Sequence, residues 1–162
     1  MKAVILMGPM GCGKTTIGRL LAQKTGWDFA DADDYHPEEN KLKMARGIPL
    51  NDSDRKPWLH ILHQLILDHL VLDKPMILAC SALKKEYRDI LGIDQQQVFS
   101  VFLKGSYDLL KERIESRAHE FMDKGLLQSQ LDTLEEPKSG LIVDIAETPE
   151  QICRKIMDEI IF

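Results

Sequence analysis

The stretch Gly8-Pro9-Met10-Gly11-Cys12-Gly13-Lys14-Thr15 constrains this chain more than any other. It has the pattern of a phosphate-binding loop: glycine, four residues, then Gly-Lys and a hydroxyl residue. Three glycines within six residues free the backbone of Cβ atoms, so successive amides can turn inward around an anion. Lys14 is placed to reach the terminal phosphates of a nucleotide, and the Thr15 hydroxyl to take one position on Mg²⁺. The flanks agree. Lys2 to Met7 reads as a short buried strand and Thr16 to Ala22 as an amphipathic helix, which is the order the motif requires. A glycine-rich turn that binds nothing has no need of that order. Gly8 through Thr16 are therefore the candidate nucleotide-binding residues.

Four further apolar runs follow: Trp27–Asp31, Pro75–Cys80, Gln97–Leu103 and Leu141–Ile145. Helical patterns separate them, at Trp58–Leu72, Leu83–Leu91, Tyr107–Ser116 and from Leu126 onward, and Pro149 opens a closing helix that runs toward Ile160. Alternation of this kind predicts an α/β fold with a parallel five-stranded sheet sandwiched by helices. At 162 residues it is one domain, 1–162. Ligands of such sheets bind beyond the carboxyl ends of the strands.

Composition removes several classes of partner. A net charge of −5 argues against nucleic acid or an anionic membrane surface. No apolar run approaches the ~20 residues that span a bilayer. Cys12, Cys80 and Cys153 are odd in number and widely spaced, which suits a reducing cytoplasm better than a disulfide framework.

The second strand ends in Asp31-Ala32-Asp33-Asp34-Tyr35-His36-Pro37. Strand alternation predicts Asp31 and Asp33 on one side, near the phosphate loop. One carboxylate there could orient a substrate hydroxyl and accept its proton, while the other, Asp31 or Asp33, holds Mg²⁺ through water. An acidic turn solvated by water is the plainer alternative. The segment that follows, to Lys56, is polar and punctuated by Pro37, Gly47 and Pro49, with room for one short helix near Glu38–Ala45. Its carboxylates and cations suit a polyol or sugar acid, with an ordinary charged loop as the plainer alternative. The third strand runs into Cys80-Ser81, so no acidic residue closes it, and no Asn-Lys-x-Asp guanine-reading element occurs.

Several blocks together resemble the gluconokinase family. They are Asp31-Ala32-Asp33 with Tyr35-His36-Pro37, Asp52-Ser53-Asp54-Arg55-Lys56-Pro57-Trp58-Leu59, and Cys80-Ser81-Ala82-Leu83-Lys84-Lys85-Glu86-Tyr87-Arg88-Asp89. Phe102-Leu103-Lys104-Gly105, Arg117-Ala118-His119-Glu120-Phe121-Met122 and Gln130-Leu131-Asp132 extend the likeness over essentially the whole chain. The resemblance implies a P-loop nucleoside-monophosphate-kinase-like fold of the shikimate-kinase type. It carries a substrate-binding segment at about 32–57 and a short lid at about 117–125. It also implies ATP and Mg²⁺ as cofactors, D-gluconate as the acceptor at its 6-hydroxyl, and a homodimer.

On that footing Asp33 orients the 6-hydroxyl and takes its proton, with Lys14 and Arg117 completing the catalytic set. Arg55, Lys84 and Arg88 are expected to clamp gluconate, and His36, Asp52 and Ser81 to meet its hydroxyls. Arg113 is expected to pack on adenine and Pro149 to cover its other face. Arg117 arrives with the lid. The alternatives are a related small-molecule kinase, such as a shikimate kinase, and a nucleotide-dependent binding module without catalysis.

Overall fold

Ala3–Met7 forms strand β1, and all five of its residues are buried. Successive side chains of a strand point to opposite faces, so an apolar strand of this kind needs cover on both. The computed structural model, which describes residues 2–116 and 124–161, supplies that cover. Strands β2 (Asp28–Asp31), β3 (Met76–Ala79), β4 (Val98–Lys104) and β5 (Leu141–Asp144) join β1 in one sheet of order β2-β3-β1-β4-β5. Every pairing is parallel; Ile5 lies beside Leu78 of β3 on one side and Ser100 of β4 on the other.

The helices are α1 (Lys14–Thr25), α2 (Glu38–Ala45), α3 (Asp52–Val71), α4 (Lys85–Leu91), α5 (Tyr107–Ser116), α6 (Lys124–Thr133) and α7 (Pro149–Ile156). Val4 and Leu6 of β1 pack in a core with Ile17 and Leu21 of α1, Leu110 and Ile114 of α5, and Ile152 and Ile156 of α7. Ala3, Ile5 and Met7 face the opposite core, with Leu59, Leu62 and Ile66 of α3 and Tyr87 and Leu91 of α4. The expected sandwich of helices on both faces is present. No helix among the described residues is long and apolar enough to cross a membrane.

Two features differ from expectation for physical reasons. Helix α3 begins at Asp52, six residues before the Trp58 start that Pro57 suggests. Asn51 accepts from the Asp54 amide at 2.8 Å while the Asp54 carboxylate accepts from the Asn51 amide at 3.0 Å, a reciprocal cap that starts the helix early. Pro57 forgoes only its bond to Ser53, and both residues lie on the exposed side where water can solvate the carbonyl. Asn51→Ala is expected to cost about 1 kcal/mol and to lower Tm by roughly 2–4 °C in a thermal melt. An unmoved transition would show that the cap does not hold this end.

The second difference concerns the carboxylates. β2 stops at Asp31, and Ala32–Tyr35 form a single 3₁₀ turn, so strand alternation does not reach Asp33. Asp31 itself caps that turn by accepting from the Asp33 amide at 3.0 Å. Residues 117–123, which hold Arg117 and most of the expected lid, lie outside the described residues; Lys124 and Gly125 open α6.

Candidate active site

The phosphate loop leaves the carboxyl end of β1, at the centre of the sheet where strand order reverses, which is where open α/β sheets bind ligands. Gly11 and Gly13 hold φ of 82° and 96°, a left-handed backbone that side chains rarely adopt. A Cβ on Gly11 would also press to 2.8 Å from Ile114. Gly13 turns the chain into α1, whose first amides face the loop, a geometry suited to phosphate. The Lys14 ammonium donates to the Gly8 and Pro9 carbonyls at 2.8 and 3.1 Å, lying along the rim of the loop.

A pocket of about 200 Å³ opens beside the loop. Gly11, Gly13, Lys14 and Thr15 form one wall, and Asp31, Asp33 and Ser81 form another. Thr15 Oγ1 donates to Asp31 Oδ2 at 3.0 Å. A hydroxyl and a carboxylate this close form a hard-oxygen pair suited to Mg²⁺. Among the described residues no group of three or more His, Cys, Asp or Glu could hold a metal unaided. A cation here would complete its shell with phosphate oxygens and water, as Mg²⁺ in kinases does.

Asp33 stands at the mouth of this pocket. Its residue is exposed, yet the walls withhold much of its solvation. That burial, with the Asp31 charge, pushes its carboxyl above the usual range, against the pull of His36 and Lys14. Asp31 and Asp33 thus meet at one pocket, although a capped turn and not strand alternation brings them there.

A second polar cluster links α3 to the start of α4. Lys84 Nζ donates to both oxygens of Asp52 at 3.2 and 3.3 Å, and the Tyr87 hydroxyl donates to Asp52 at 2.5 Å. Arg55 Nη1 donates to the same Tyr87 hydroxyl at 3.1 Å. The Tyr87 and Lys84 hydrogen bonds hold the Asp52 carboxyl below its ordinary range. Arg55, Lys84 and Asp52 therefore form one cluster, with Tyr87 as its hub. His36 is buried, stacked on Trp58 with ring centroids 4.3 Å apart and planes 14° from parallel. Trp58 Nε1 donates to the Ala32 carbonyl at 2.7 Å, tying α3 to the turn that carries Asp33.

At the nucleotide end, Arg113 donates to the Ile145 carbonyl and lies beside Gly13. Pro149 takes the first position of α7, capped by Thr148. Arg113 therefore borders the loop.

The comparisons with known proteins point one way. A family model described as shikimate kinase matches residues 10–161. A Mus musculus protein named probable gluconokinase is 47% identical over 153 residues, spanning 84% of this chain and 83% of its own. A solved gluconokinase structure from Sinorhizobium meliloti 1021 superposes with a TM-score of 0.84 at 38% identity, over 97% of this chain and 90% of that one. An unliganded sugar kinase from Janibacter sp. HTCC2649 gives 0.86 at 41% identity, over 98% and 93%.

The chain belongs to the gluconokinase family.

It is a kinase of the shikimate-kinase-like P-loop type, and one residue expected to bind substrate in this gluconokinase-family chain has another task. Arg88 is 9% exposed and donates to the carbonyls of Ala82 at 2.9 Å, Leu83 at 3.2 Å and Glu135 at 2.7 Å. It lines a separate cleft of about 440 Å³ and not the pocket at the phosphate loop. A guanidinium already serving three carbonyls, and largely removed from water, braces the loop after β3 against the segment after α6. These carbonyls, and not the phosphate-loop pocket, are where its guanidinium points.

The sequence reading also missed three participants. Gln130 of α6 accepts from the Met10 amide at 2.7 Å and lines the phosphate pocket. Tyr87 joins the cation cluster, and Asn40 holds His36. Gln130 and Tyr87 lie within blocks that carry the family resemblance and Asn40 in the polar segment after Pro37, but nothing local marks which side chain points inward. Cys12 is 1% exposed and its thiol is pushed up by burial despite Lys14, as suits a small residue that fills the turn.

Proposed function

We propose that this kinase transfers the γ-phosphoryl group of ATP to the 6-hydroxyl of D-gluconate, giving 6-phospho-D-gluconate and ADP. The observation that carries this is the single pocket in which Lys14 and Thr15 face Asp33 and Ser81. Donor and acceptor groups can meet there, and phosphoryl transfer depends mainly on such positioning. The loop amides and Lys14 hold the phosphates, and Arg113 and Pro149 flank the base. Asp33 accepts a hydrogen bond from the 6-hydroxyl, aligns it with the phosphorus and takes its proton as the new bond forms. Arg55 and Lys84 hold the carboxylate end, with His36, Asp52 and Ser81 on the hydroxyls. Arg117 supplies positive charge to the transferring phosphoryl group.

Thr15 and Asp31 are the residues that fit Mg²⁺, which when bound neutralises charge on the β- and γ-phosphates. Asp31→Asn is therefore expected to raise the Mg²⁺ concentration for half-maximal turnover by about 10–100-fold. An unchanged requirement would remove Asp31 from that role. The proposal includes a cytoplasmic setting, which suits three buried free thiols, and a homodimer, which sedimentation would measure.

Coupled ADP release tests the substrate directly, with gluconate, shikimate, glucose and other hexonates offered in turn. Turnover on gluconate alone, or on gluconate far above the rest, is expected. Turnover on shikimate without gluconate would overturn the reading, and silence on every acceptor would favour a binding module.

A further inference from the structure

Asn40 is a buried polar residue, 3% exposed, on a helix that otherwise faces water. Its side-chain amide has two partners. Nδ2 donates to the Asp54 carbonyl at 2.9 Å and lies 3.2 Å from Nδ1 of His36. The Asp54 carbonyl only accepts, so it decides which end of the amide faces it. With the amide turned over, two oxygens would oppose each other at that distance. Nδ2 therefore sits where it is shown, and its second N–H points at His36 Nδ1. A ring nitrogen that receives an N–H carries no proton of its own, which excludes both the Nδ1–H tautomer and the imidazolium.

We infer that Asn40 is a positioning residue that fixes His36 as a neutral imidazole protonated on Nε2, making His36 a hydrogen-bond donor to the oxygens of the acceptor substrate. The role toward substrate rests on the function proposed above; the tautomer does not. The surroundings agree. Burial lowers the His36 pKa, and among the charges that act on the ring Asp33 raises it while Arg55 and Lys41 lower it. Two of these, Asp33 and Arg55, belong to the acceptor side of the site, and Trp58 stacking sets the plane of the ring. The same Asp54 that orients Asn40 also accepts from Lys43 at 2.8 and 2.9 Å. Helix α2 is thus latched to the first turn of α3 through one residue, and the tautomer of His36 follows from that latch. A donor at this place selects an oxygen lone pair, whereas an accepting nitrogen would select a hydroxyl proton.

The test begins with long-range ¹H–¹⁵N spectra of the wild-type protein labelled in its imidazoles, with His36→Gln identifying the signal. The pattern of an unprotonated Nδ1 and a protonated Nε2 is expected at neutral pH, and no substrate is needed to see it. An Nδ1–H or imidazolium pattern would overturn the assignment whatever the substrate proves to be. Asn40→Asp, which cannot donate, is expected to move the proton to Nδ1; an unmoved pattern in a folded variant also overturns it. The donor role is read from gluconate kinetics. In His36→Gln an amide N–H can stand near the place of Nε2–H, which the shorter side chain of His36→Asn cannot reach. The KM for gluconate is expected to be about tenfold lower in the Gln variant, with similar KM for ATP. Equal values, or the reverse order, would overturn the donor role. Failure of the wild-type protein to phosphorylate gluconate would instead strike the proposed function and leave the tautomer standing.

Discussion

Replacing Asp33 with Asn is expected to lower kcat for gluconate phosphorylation by about 10²–10⁴-fold, with ATP affinity nearly unchanged. The substitution keeps the size of the side chain and its place on the capped turn, but removes the charge that draws the hydroxyl proton. The loose transition state asks little of a base and much of alignment, so the lower half of that range is the natural outcome. Steady-state kinetics with gluconate varied at saturating ATP would show it. The pH profile gives a second reading. Burial and Asp31 raise the Asp33 carboxyl, so the ionised form is lost as pH falls through a value above the usual carboxylate range of about 3.9. The acid limb of kcat/KM should therefore lie above that figure, and Asp33→Asn should abolish it. Wild-type turnover in the variant would take Asp33 out of the mechanism.

Trp58→Ala is expected to be the most damaging change to stability among residues of the site, at about 3–5 kcal/mol. Trp58 is 5% exposed, fills the core beneath α3, and donates its indole N–H to the Ala32 carbonyl. Truncation leaves a cavity, removes the face on which His36 stacks and leaves a carbonyl without its donor. Tm should fall by roughly 6–20 °C, taking 2–4 °C per kcal/mol for a domain of this size. Trp58→Phe separates the terms, since it keeps an aromatic face for His36 and loses only the hydrogen bond and part of the volume. Urea unfolding of the two variants measures the difference. A Trp58→Ala protein within 1 kcal/mol of wild type would show that α3 and the Asp33 turn are held together elsewhere.

These two residues illustrate what each level of organisation decides. Asp33 could be named from the sequence because it stands in a short acidic stretch directly after a strand, close in the chain to its own context. Its route to the pocket could not be named. Alternation along β2 predicts the right neighbour for the wrong reason, because Asp31 caps a 3₁₀ turn and ends the strand. Pro57 misled in the same way: taken alone it ends a polar segment, whereas the Asn51–Asp54 cap supplies enough to start α3 ahead of it. Where periodicity was strong and no competing cap intervened, as in Tyr107–Ser116, expected and observed spans coincide.

The phosphate loop, the order of strands and helices, and the family were legible in the amino-acid sequence alone. Each depends on residues near one another in the chain: glycine spacing, hydrophobic period, and blocks of matching type. Tertiary structure decided the direction of long side chains. Arg88 and Arg55 look alike in sequence, each a cation in a family block. Folding leaves Arg55 beside Tyr87 and Asp52 and turns Arg88 onto three backbone carbonyls. Gln130 reaches the Met10 amide across 120 residues, and Asn40 chooses a tautomer for His36 through a carbonyl on another helix. Such contacts follow from how helices pack across the sheet, and a side chain with several rotamers carries no local mark of which partner that packing will bring to it.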